Sequence, residues 1–237
     1  MDKTSLVTGG SGALGSAIVR CLRREGYSVA FTFKNNAKGA DALAAETDSL
    51  ALRADLTERA QVSDVVRRAL ERLGRIDVLV NCAGLTQVMP FPLIEEEDWD
   101  EVLAANLKTM FLVTREVVRG MIARKAGVIV NIGSLAGHRL LEVPVHYATA
   151  KAGVGGFTLS LAKELSRYGI RVNSVVPGLL DSGVGRMVPE KEKAEYVAYC
   201  TAGRPGTPEE VAEVVAFLAG DAARYMNAQQ VFVDGGI

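Results

Sequence analysis

The chain has few of the residues from which metal centres and disulfide frameworks are built. It contains three cysteines, Cys21, Cys82 and Cys200, and two histidines in 237 residues. The cysteines are far apart and odd in number, which argues against a disulfide framework and favours a reducing compartment. No two of them have the spacing of a zinc knuckle, so a zinc site is not expected.

The sequence also lacks a long apolar run and a strong net charge. No stretch approaches the roughly 20 apolar residues of a membrane helix, and the first predicted strand begins too early to leave room for a signal peptide. The formal net charge is −1, which gives no general reason to expect nucleic acid as a partner. We therefore expect a cytoplasmic protein with neither a membrane nor a nucleic-acid partner.

What the chain does contain is a regular alternation of short β-rich runs and longer helical patterns. The predicted strands are 5–8, 28–33, 50–53, 77–81, 127–132, 171–176 and 230–233, and the predicted helices are 14–25, 37–46, 58–73, 99–123, 147–168 and 208–218. This order predicts an α/β Rossmann fold, a doubly wound parallel sheet of seven strands with helices on both faces. We expect a single domain over residues 1–237, with a mobile flap and a short helix at about 178–203.

A glycine-rich turn, TGGSGALG at residues 8–15, lies between the first predicted strand and the first helix. Such a turn brings backbone N–H groups onto a pyrophosphate at the helix N-terminus. Two registers fit the residues: G-x-G-x-x-G from Gly10, or T-G-x-x-x-G-x-G from Thr8 with Ala13 in place of the middle glycine. Either register predicts a dinucleotide, and the turn alone does not decide between them.

The end of the second predicted strand lacks an acidic residue. Sites that prefer NAD place an Asp or Glu about 20 residues after the glycine turn, where it accepts from the ribose 2′-hydroxyl. Here Lys34 follows the strand, and the first acid is Asp41. A cation suits a 2′-phosphate, so this stretch favours NADP(H), although a solvent-exposed lysine at a strand end would give the same pattern.

The stretch YATAK places Tyr147 and Lys151 at i and i+4, on one face of a predicted helix. A phenol is a poor acid at its ordinary pKa of about 10, and a nearby ammonium lowers that value. The pair can therefore exchange a proton with a carbonyl or alcohol oxygen. Ser134 ends a central predicted strand, where it would reach the same ligand.

Taken in order, TGGSGALG, Asp55, NCAG, Asn106, Ser134, Tyr147-x-x-x-Lys151 and Pro177-Gly178 resemble the classical short-chain dehydrogenases/reductases over essentially the whole chain. Within that superfamily the chain is most similar to the β-ketoacyl-[acyl-carrier-protein] reductases. The stretches that carry this narrower resemblance are HYATAKAGVGGFTLSLAKEL, IRVNSVVPG, GRPGTPEEVAEVVAFLAG and VFVDGG. The resemblance also selects the register of the glycine turn that begins at Thr8.

The resemblance implies a catalytic role for four residues. Tyr147 would be the general acid, and Lys151 would bind the nicotinamide ribose and lower the tyrosine pKa. Ser134 would hold the substrate carbonyl oxygen, and Asn106 would position a water of a proton relay. His146, which precedes the tyrosine, is expected to line the site or to lie on the surface.

The resemblance further implies a set of contacts to NADP(H). The expected cofactor residues are Gly9, Ser11, Gly12, Ala13, Leu14, Gly15, Lys34, Asp55, Leu56, Asn81, Ala83, Gly84, Tyr147, Lys151, Pro177, Gly178, Leu180 and Ser182. Ser182 takes the place of a family threonine and keeps its hydroxyl. Ala13 replaces the family's middle glycine, which would narrow the approach of the pyrophosphate only if its φ were positive.

The implied reaction is the NADPH-dependent reduction of a 3-oxoacyl thioester, carried by acyl carrier protein, to the 3-hydroxyacyl thioester. A basic rim for the acidic carrier is expected near the entrance, from Arg124, Lys125, Arg167 and Arg171, although Tyr168 stands where the family has its docking arginine. The family is typically tetrameric, so we expect a homotetramer. Two alternatives stay open: a ketoreductase for a polyketide, an aryl-polyene precursor or a free small ketone, and a catalytically silent dinucleotide-binding regulator.

Overall fold

The strands of the chain form one parallel sheet. A computed structural model describes residues 3–237, with β1 (Thr4–Val7), β2 (Ser28–Phe33), β3 (Leu50–Arg53), β4 (Val78–Asn81), β5 (Gly127–Ile132), β6 (Ile170–Pro177) and β7 (Gln230–Val233). Their order across the sheet is β3-β2-β1-β4-β5-β6-β7. The order reverses between β1 and β4, and this reversal opens a crevice at the carboxyl ends of the strands.

The helices cover both faces of this sheet. They are α1 (Ala13–Arg24), α2 (Ala37–Thr47), α3 (Arg59–Leu73), α4 (Glu96–Leu103), α5 (Thr109–Arg124), α6 (Val145–Leu165), α7 (Glu190–Tyr199) and α8 (Pro208–Ala219). Buried residues of α1, α2 and α8 form one apolar core with the sheet, and those of α3, α5 and α6 form another on the opposite face. The predicted doubly wound α/β fold is confirmed. None of the helices in the described range is long and apolar enough to cross a membrane.

The helix predicted at 99–123 is two helices joined by a wider turn. Residues Ala104–Lys108 form a π-helical turn between α4 and α5. The amide of Asn106 lies in this turn, and its Nδ2 donates to the carbonyl oxygen of Val102, four residues earlier, at 2.8 Å. A side chain that bonds to the helix's own carbonyl opens the regular hydrogen-bond pattern. The prediction of one continuous helix was therefore wrong.

The segment at 178–203 is folded over the carboxyl ends of the strands. It contains a 3-10 turn, Gly183–Met187, followed by α7, none of whose residues is buried. Its end is held by the C-terminal segment: the amide of Ala202 donates to the carbonyl of Gly235 at 2.9 Å. The short helix expected in this flap is present, and the flap's mobility stays a prediction.

Candidate active site

A cleft of about 860 Å³ lies at the carboxyl ends of the central strands. Its walls come from the glycine turn before α1, the segment after β4, the segment after β5, the start of α6 and the flap. Of the residues expected at the site, those that line it are Gly9, Gly12, Ala13, Leu14, Gly15, Ala83, Gly84, Asn106, Ser134, Tyr147, Lys151, Pro177, Gly178, Leu180 and Ser182.

The glycine turn is shaped for close approach of a ligand to the backbone. Gly9 has a φ of 71°, a conformation that glycine adopts without strain. A side chain at Gly15 would overlap the carbonyl oxygen of Gly9. Gly12 precedes α1 and has no side chain to cap the first-turn N–H groups. No side chain of the described residues caps these donors at the border of the cleft, an arrangement that suits an anion.

Ala13 is the first residue of α1, so its φ is helical and negative. The alanine methyl therefore adds no backbone strain at the place of the expected glycine. A side chain at Gly183 of the flap would lie 3.4 Å from this methyl. The substitution thus fills space between the turn and the flap.

Thr8 ties the glycine turn to the neighbouring segment of the cleft. Its hydroxyl accepts from the amides of Cys82 at 2.9 Å and Ala83 at 3.0 Å. The cofactor residues expected from the sequence did not include this threonine, although it begins the quoted motif. Its place at the end of the first predicted strand, as the first residue of the motif, was the available signal in the sequence. Burial also raises the pKa of the Cys82 thiol to about 11, so that thiol stays protonated near neutral pH.

Tyr147 and Lys151 are brought together as their spacing predicts. Both lie in the first two turns of α6, and the Lys151 ammonium is 5.7 Å from the centroid of the tyrosine ring. The ammonium is buried and donates to the carbonyl oxygen of Ile132 at 3.1 Å. A buried ammonium with one fixed acceptor keeps two further N–H donors for the cleft.

Asn106 faces the same part of the cleft from the π-helical turn. Its Nδ2 is fully used, by the carbonyls of Val102 and Leu85, each at 2.8 Å. Its Oδ1 is buried, and no donor among residues 3–237 lies within hydrogen-bond distance of it. A side chain at Gly84 would meet this oxygen and would lie 3.6 Å from the Lys151 ammonium. The glycine therefore leaves room for a small polar ligand such as water between them.

Ser134 follows β5 and lines the cleft with a partly buried side chain. Its hydroxyl oxygen accepts from the amide of Ala136 at 3.1 Å. That bond fixes the oxygen and leaves its proton to donate. Ser134 and Tyr147 thus present hydroxyl groups to one cleft.

The flap contributes a polar atom that also lacks a partner. The Ser182 hydroxyl oxygen is buried in the cleft and has no hydrogen bond within the described part of the chain. Buried polar groups are nearly always paired, so this hydroxyl is suited to a ligand.

Comparisons with known proteins agree with this geometry. A family model described as "Enoyl-(Acyl carrier protein) reductase" matches residues 10–237. The chain belongs to the short-chain dehydrogenase/reductase family. Its relatives include the 3-oxoacyl-[acyl-carrier-protein] reductase FabG of Thermotoga maritima, 38% identical over 99% of this chain and 97% of that protein. The protein of the same name from Chlamydia pneumoniae is 35% identical over 100% of this chain and 97% of its own length.

The fold comparison points to the same family. The solved structure of a double mutant of a Serratia marcescens short-chain dehydrogenase/reductase matches with a TM-score of 0.92 and 33% sequence identity. The match covers 99% of this chain and 97% of that chain. Membership of the short-chain dehydrogenase/reductase family implies an oxidoreductase with a nicotinamide dinucleotide cofactor. The uncapped N-terminus of α1 and the unpaired Ser182 hydroxyl fit such a cofactor.

Five of the residues expected to bind the cofactor do not line the cleft: Ser11, Lys34, Asp55, Leu56 and Asn81. Lys34 and Asp55 instead form an ion pair with 2.7 Å between Nζ and Oδ2. The lysine hydrogen bond and the Thr57 hydroxyl hold the pKa of Asp55 down at about 2. The pair joins the ends of β2 and β3, and the lysine side chain stays more than half exposed.

Asn81 is buried and does not line the cleft. Its Nδ2 donates to the Thr114 hydroxyl at 3.0 Å and to Asn131 Oδ1 at 2.9 Å. Asn131 in turn donates to the Thr158 hydroxyl at 3.0 Å. This chain of bonds links β4 and β5 to α5 and α6, so the Asn81 side chain supports the strand ends that carry the site.

The four basic residues expected near the entrance lie at the opposite edge of the sheet. Arg124 donates to the Ile76 carbonyl at 2.7 Å, before β4 begins, and Lys125 ends α5 just before β5. Arg167 and Arg171 lie where β6 begins. Helices α5 and α6 run away from the cleft, and α6 is about 31 Å long at 1.5 Å per residue. The prediction of a basic rim at this chain's own entrance was therefore wrong.

The position of His146 also differs from the one expected from the sequence. It is fully buried, and its Nδ1 accepts from the amide of Tyr147 at 3.0 Å. Its Nε2 lies 3.4 Å from the side-chain oxygen of Gln87. The expectation of a lining or surface histidine was wrong, since the ring satisfies a first-turn donor of α6.

Proposed function

We propose that this short-chain dehydrogenase/reductase reduces a 3-oxoacyl thioester, carried by acyl carrier protein, to the 3-hydroxyacyl thioester with NADPH. The observation that carries the proposal is that Ser134, Tyr147 and Lys151 line one cleft, which the uncapped N-terminus of α1 also borders. The printed names of the FabG relatives support the substrate class. When bound, the reduced nicotinamide supplies hydride to the keto carbon.

The residues of the chain supply position and protons. Ser134 donates a hydrogen bond to the keto oxygen, and Tyr147 transfers its phenolic proton to the same oxygen as negative charge develops there. Lys151, held by the Ile132 carbonyl, stabilises the phenolate that remains. A water that donates a hydrogen bond to Asn106 Oδ1 connects this ammonium to solvent and returns the proton to Tyr147. The same water gives the unpaired oxygen its partner.

The preference for NADPH rests on Lys34. Its ammonium stands at the end of β2, where a ribose 2′-phosphate would lie in this fold. The ion pair with Asp55 holds the lysine in place while more than half of the side chain stays exposed. A phosphate with two negative charges competes for this cation with a carboxylate that has one.

We propose a homotetramer in which α5 and α6 form an interface. Phe111 and Leu159 on these helices are about half exposed. Of the three glycines of α6, Gly153 faces Leu107 and Gly155 faces Gln230, whereas Gly156 has open space around it. Antiparallel pairing of these helices would bring the basic edge of one subunit beside the cleft of another, where it would meet an acidic carrier.

A second candidate reaction follows from the description of the family model, which names an enoyl reduction.

A ketoreductase for a polyketide, an aryl-polyene precursor or a free small ketone would use the same catalytic residues with another flap. A silent regulator is disfavoured, because a dinucleotide sensor has no use for a buried ammonium beside a tyrosine.

A substrate panel tests the proposal. NADPH and NADH oxidation is measured with acetoacetyl thioester bound to acyl carrier protein, free acetoacetyl thioester, crotonyl thioester and a simple β-diketone. We expect the highest kcat/KM with the carrier-bound 3-oxoacyl substrate and NADPH. Turnover of the crotonyl thioester alone would replace the proposal with enoyl reduction. Turnover of the diketone alone would replace it with small-ketone reduction.

A further inference from the structure

Helix α7 turns two carboxylates and two tyrosines toward the cleft. Glu192, Glu195, Tyr196 and Tyr199 follow one another at i, i+3, i+4 and i+7, and all four line the cleft. Residues with this spacing share one helix face. A carboxylate on the helix face that lines the cleft has a desolvation cost that solvent-facing positions avoid.

The two carboxylates have different surroundings. The Glu195 side chain is 59% exposed and lies 3.9 Å from the Lys191 ammonium. Glu192 has a buried Oε2, and no donor of residues 3–237 lies within hydrogen-bond distance of it. A buried acceptor without a partner is rare in native proteins. This oxygen therefore has the character of a ligand-binding atom, and that of Glu195 does not.

Tyr196 fixes the position of Glu192 one helical turn away. The tyrosine hydroxyl donates to the carbonyl oxygen of Asp234 at 2.8 Å. It also occupies the space that a side chain at Gly178 would need. Because this contact anchors α7 beside β6 and β7, the Glu192 carboxylate is held over the cleft.

We propose that Glu192 is a specificity-determining residue that accepts a hydrogen bond from the thiol arm of the substrate. This inference rests on the proposed 3-oxoacyl thioester substrate. A 3-oxoacyl chain carries no N–H or O–H donor, and its keto oxygen is an acceptor for Tyr147 and Ser134. The first donor along a pantetheine thioester is the amide N–H two carbons beyond the sulfur. Glu192 thus recognises the arm and not the acyl chain.

A pair of substrates that differ in this one donor tests the proposal. One is the acetoacetyl thioester of N-acetylcysteamine, and the other is that of 2-mercaptoethyl acetate, in which an ester oxygen replaces the N–H. The wild type should have a KM about 10-fold lower for the amide, the effect of one hydrogen bond to a charged group. Glu192→Leu should remove that difference with kcat changed less than 2-fold, and Glu192→Gln, which keeps an acceptor oxygen, should restore part of it.

Glu195→Leu is the matched control, because it removes a carboxylate of the same helix face that is exposed and paired. It should leave the ratio of the two KM values unchanged. Equal changes for both thioesters in Glu192→Leu would overturn the proposal. A change confined to the KM for NADPH would also overturn it and would assign the oxygen to the cofactor carboxamide.

Binding of the corresponding butyryl thioesters, which have no keto group to reduce, separates this inference from the proposed function. Calorimetry should give the wild type a tighter complex with the amide and should give Glu192→Leu equal affinities. If the wild type turned over neither acetoacetyl thioester, the proposed function would fall, and the calorimetric difference would still decide the role of Glu192. Equal wild-type affinities would overturn that role.

Discussion

Lys151 and Glu192 line the same cleft, but their charged atoms are supported differently. The Lys151 ammonium donates to a strand-end carbonyl at 3.1 Å, and its helix packs against the sheet. The Glu192 Oε2 lies on a helix with no buried residue, and the residues that the structure describes give it no donor. The ammonium is fixed by a protein acceptor before a substrate arrives, whereas we propose that the carboxylate oxygen gains its partner from the substrate. The groups that carry out the reaction are therefore held by the sheet and α6. The group that selects the substrate is on the flap.

The largest effect is expected at Tyr147, on the helix that packs against the sheet. Tyr147→Phe removes the proton donor and should lower kcat by about 10²- to 10⁴-fold, the usual contribution of a general acid. Dissociation constants for the cofactor should stay within about 3-fold. The measurement is NADPH oxidation together with a fluorescence titration of the cofactor.

Tyr199→Phe provides the flap control for that variant, because this tyrosine lines the same cleft and is 83% exposed. It should change kcat by less than about 3-fold. Comparable losses in the two variants would contradict the separation of chemistry from selection.

The glycine turn gives the next effect. Gly15→Ala forces a methyl into the carbonyl oxygen of Gly9 and should destabilise the fold by about 1–3 kcal/mol, as overpacking generally does. Gly12→Ala places its methyl 3.4 Å from the same oxygen, an ordinary contact. Thermal unfolding should show a Tm drop for Gly15→Ala that Gly12→Ala does not share, and equal drops would refute the close-approach argument.

Lys34→Ala should act on cofactor choice alone. Loss of a charge-assisted contact to the 2′-phosphate should raise the KM for NADPH about 10-fold and leave the KM for NADH unchanged. Lys38→Ala removes the same charge from an exposed site in the first turn of α2 and is the matched control. The measurement is steady-state kinetics with each cofactor. Equal increases in the KM for NADPH and the KM for NADH in Lys34→Ala would reject Lys34 as the phosphate contact.

The smallest effect is expected at Ala13. Ala13 has a helical φ, so Ala13→Gly relieves no backbone strain. The substitution should lower the free energy of unfolding by less than about 1 kcal/mol, because glycine has the lower helix propensity. The KM for NADPH should change less than 2-fold. A large gain in cofactor affinity would mean that the methyl hinders the pyrophosphate.

The sequence predicts the parts of the site that depend on local spacing. Tyr147 and Lys151 share a face because four residues make about one helical turn, and β2, β3, β5 and β7 have the predicted bounds. The resemblance adds Asn106 to these residues. The π-helical turn around it depends on the carbonyl oxygens that accept from the Asn106 amide, and one of them belongs to Leu85, 21 residues earlier in the chain.

Other features depend on contacts between distant segments. Lys34 and Asp55 are separated by a whole helix and meet only because β2 and β3 pair. The four basic residues lie away from the cleft because they stand at or after the C-terminal ends of α5 and α6, which reach the amino edge of the sheet. The unpaired oxygen of Glu192 follows from the packing of α7 through Tyr196, which no spacing rule indicates.

Deuterium transfer tests the central claim most directly. The enzyme is incubated with acetoacetyl thioester and NADPH carrying deuterium at C4 of the nicotinamide, and the product is analysed by mass spectrometry and NMR. The account predicts a 3-hydroxyacyl thioester with one deuterium on C3, formed in equal amount to the NADP⁺ released, and its loss in Tyr147→Phe. Unreduced acetoacetyl thioester, or a reduced product without deuterium on C3, would contradict it.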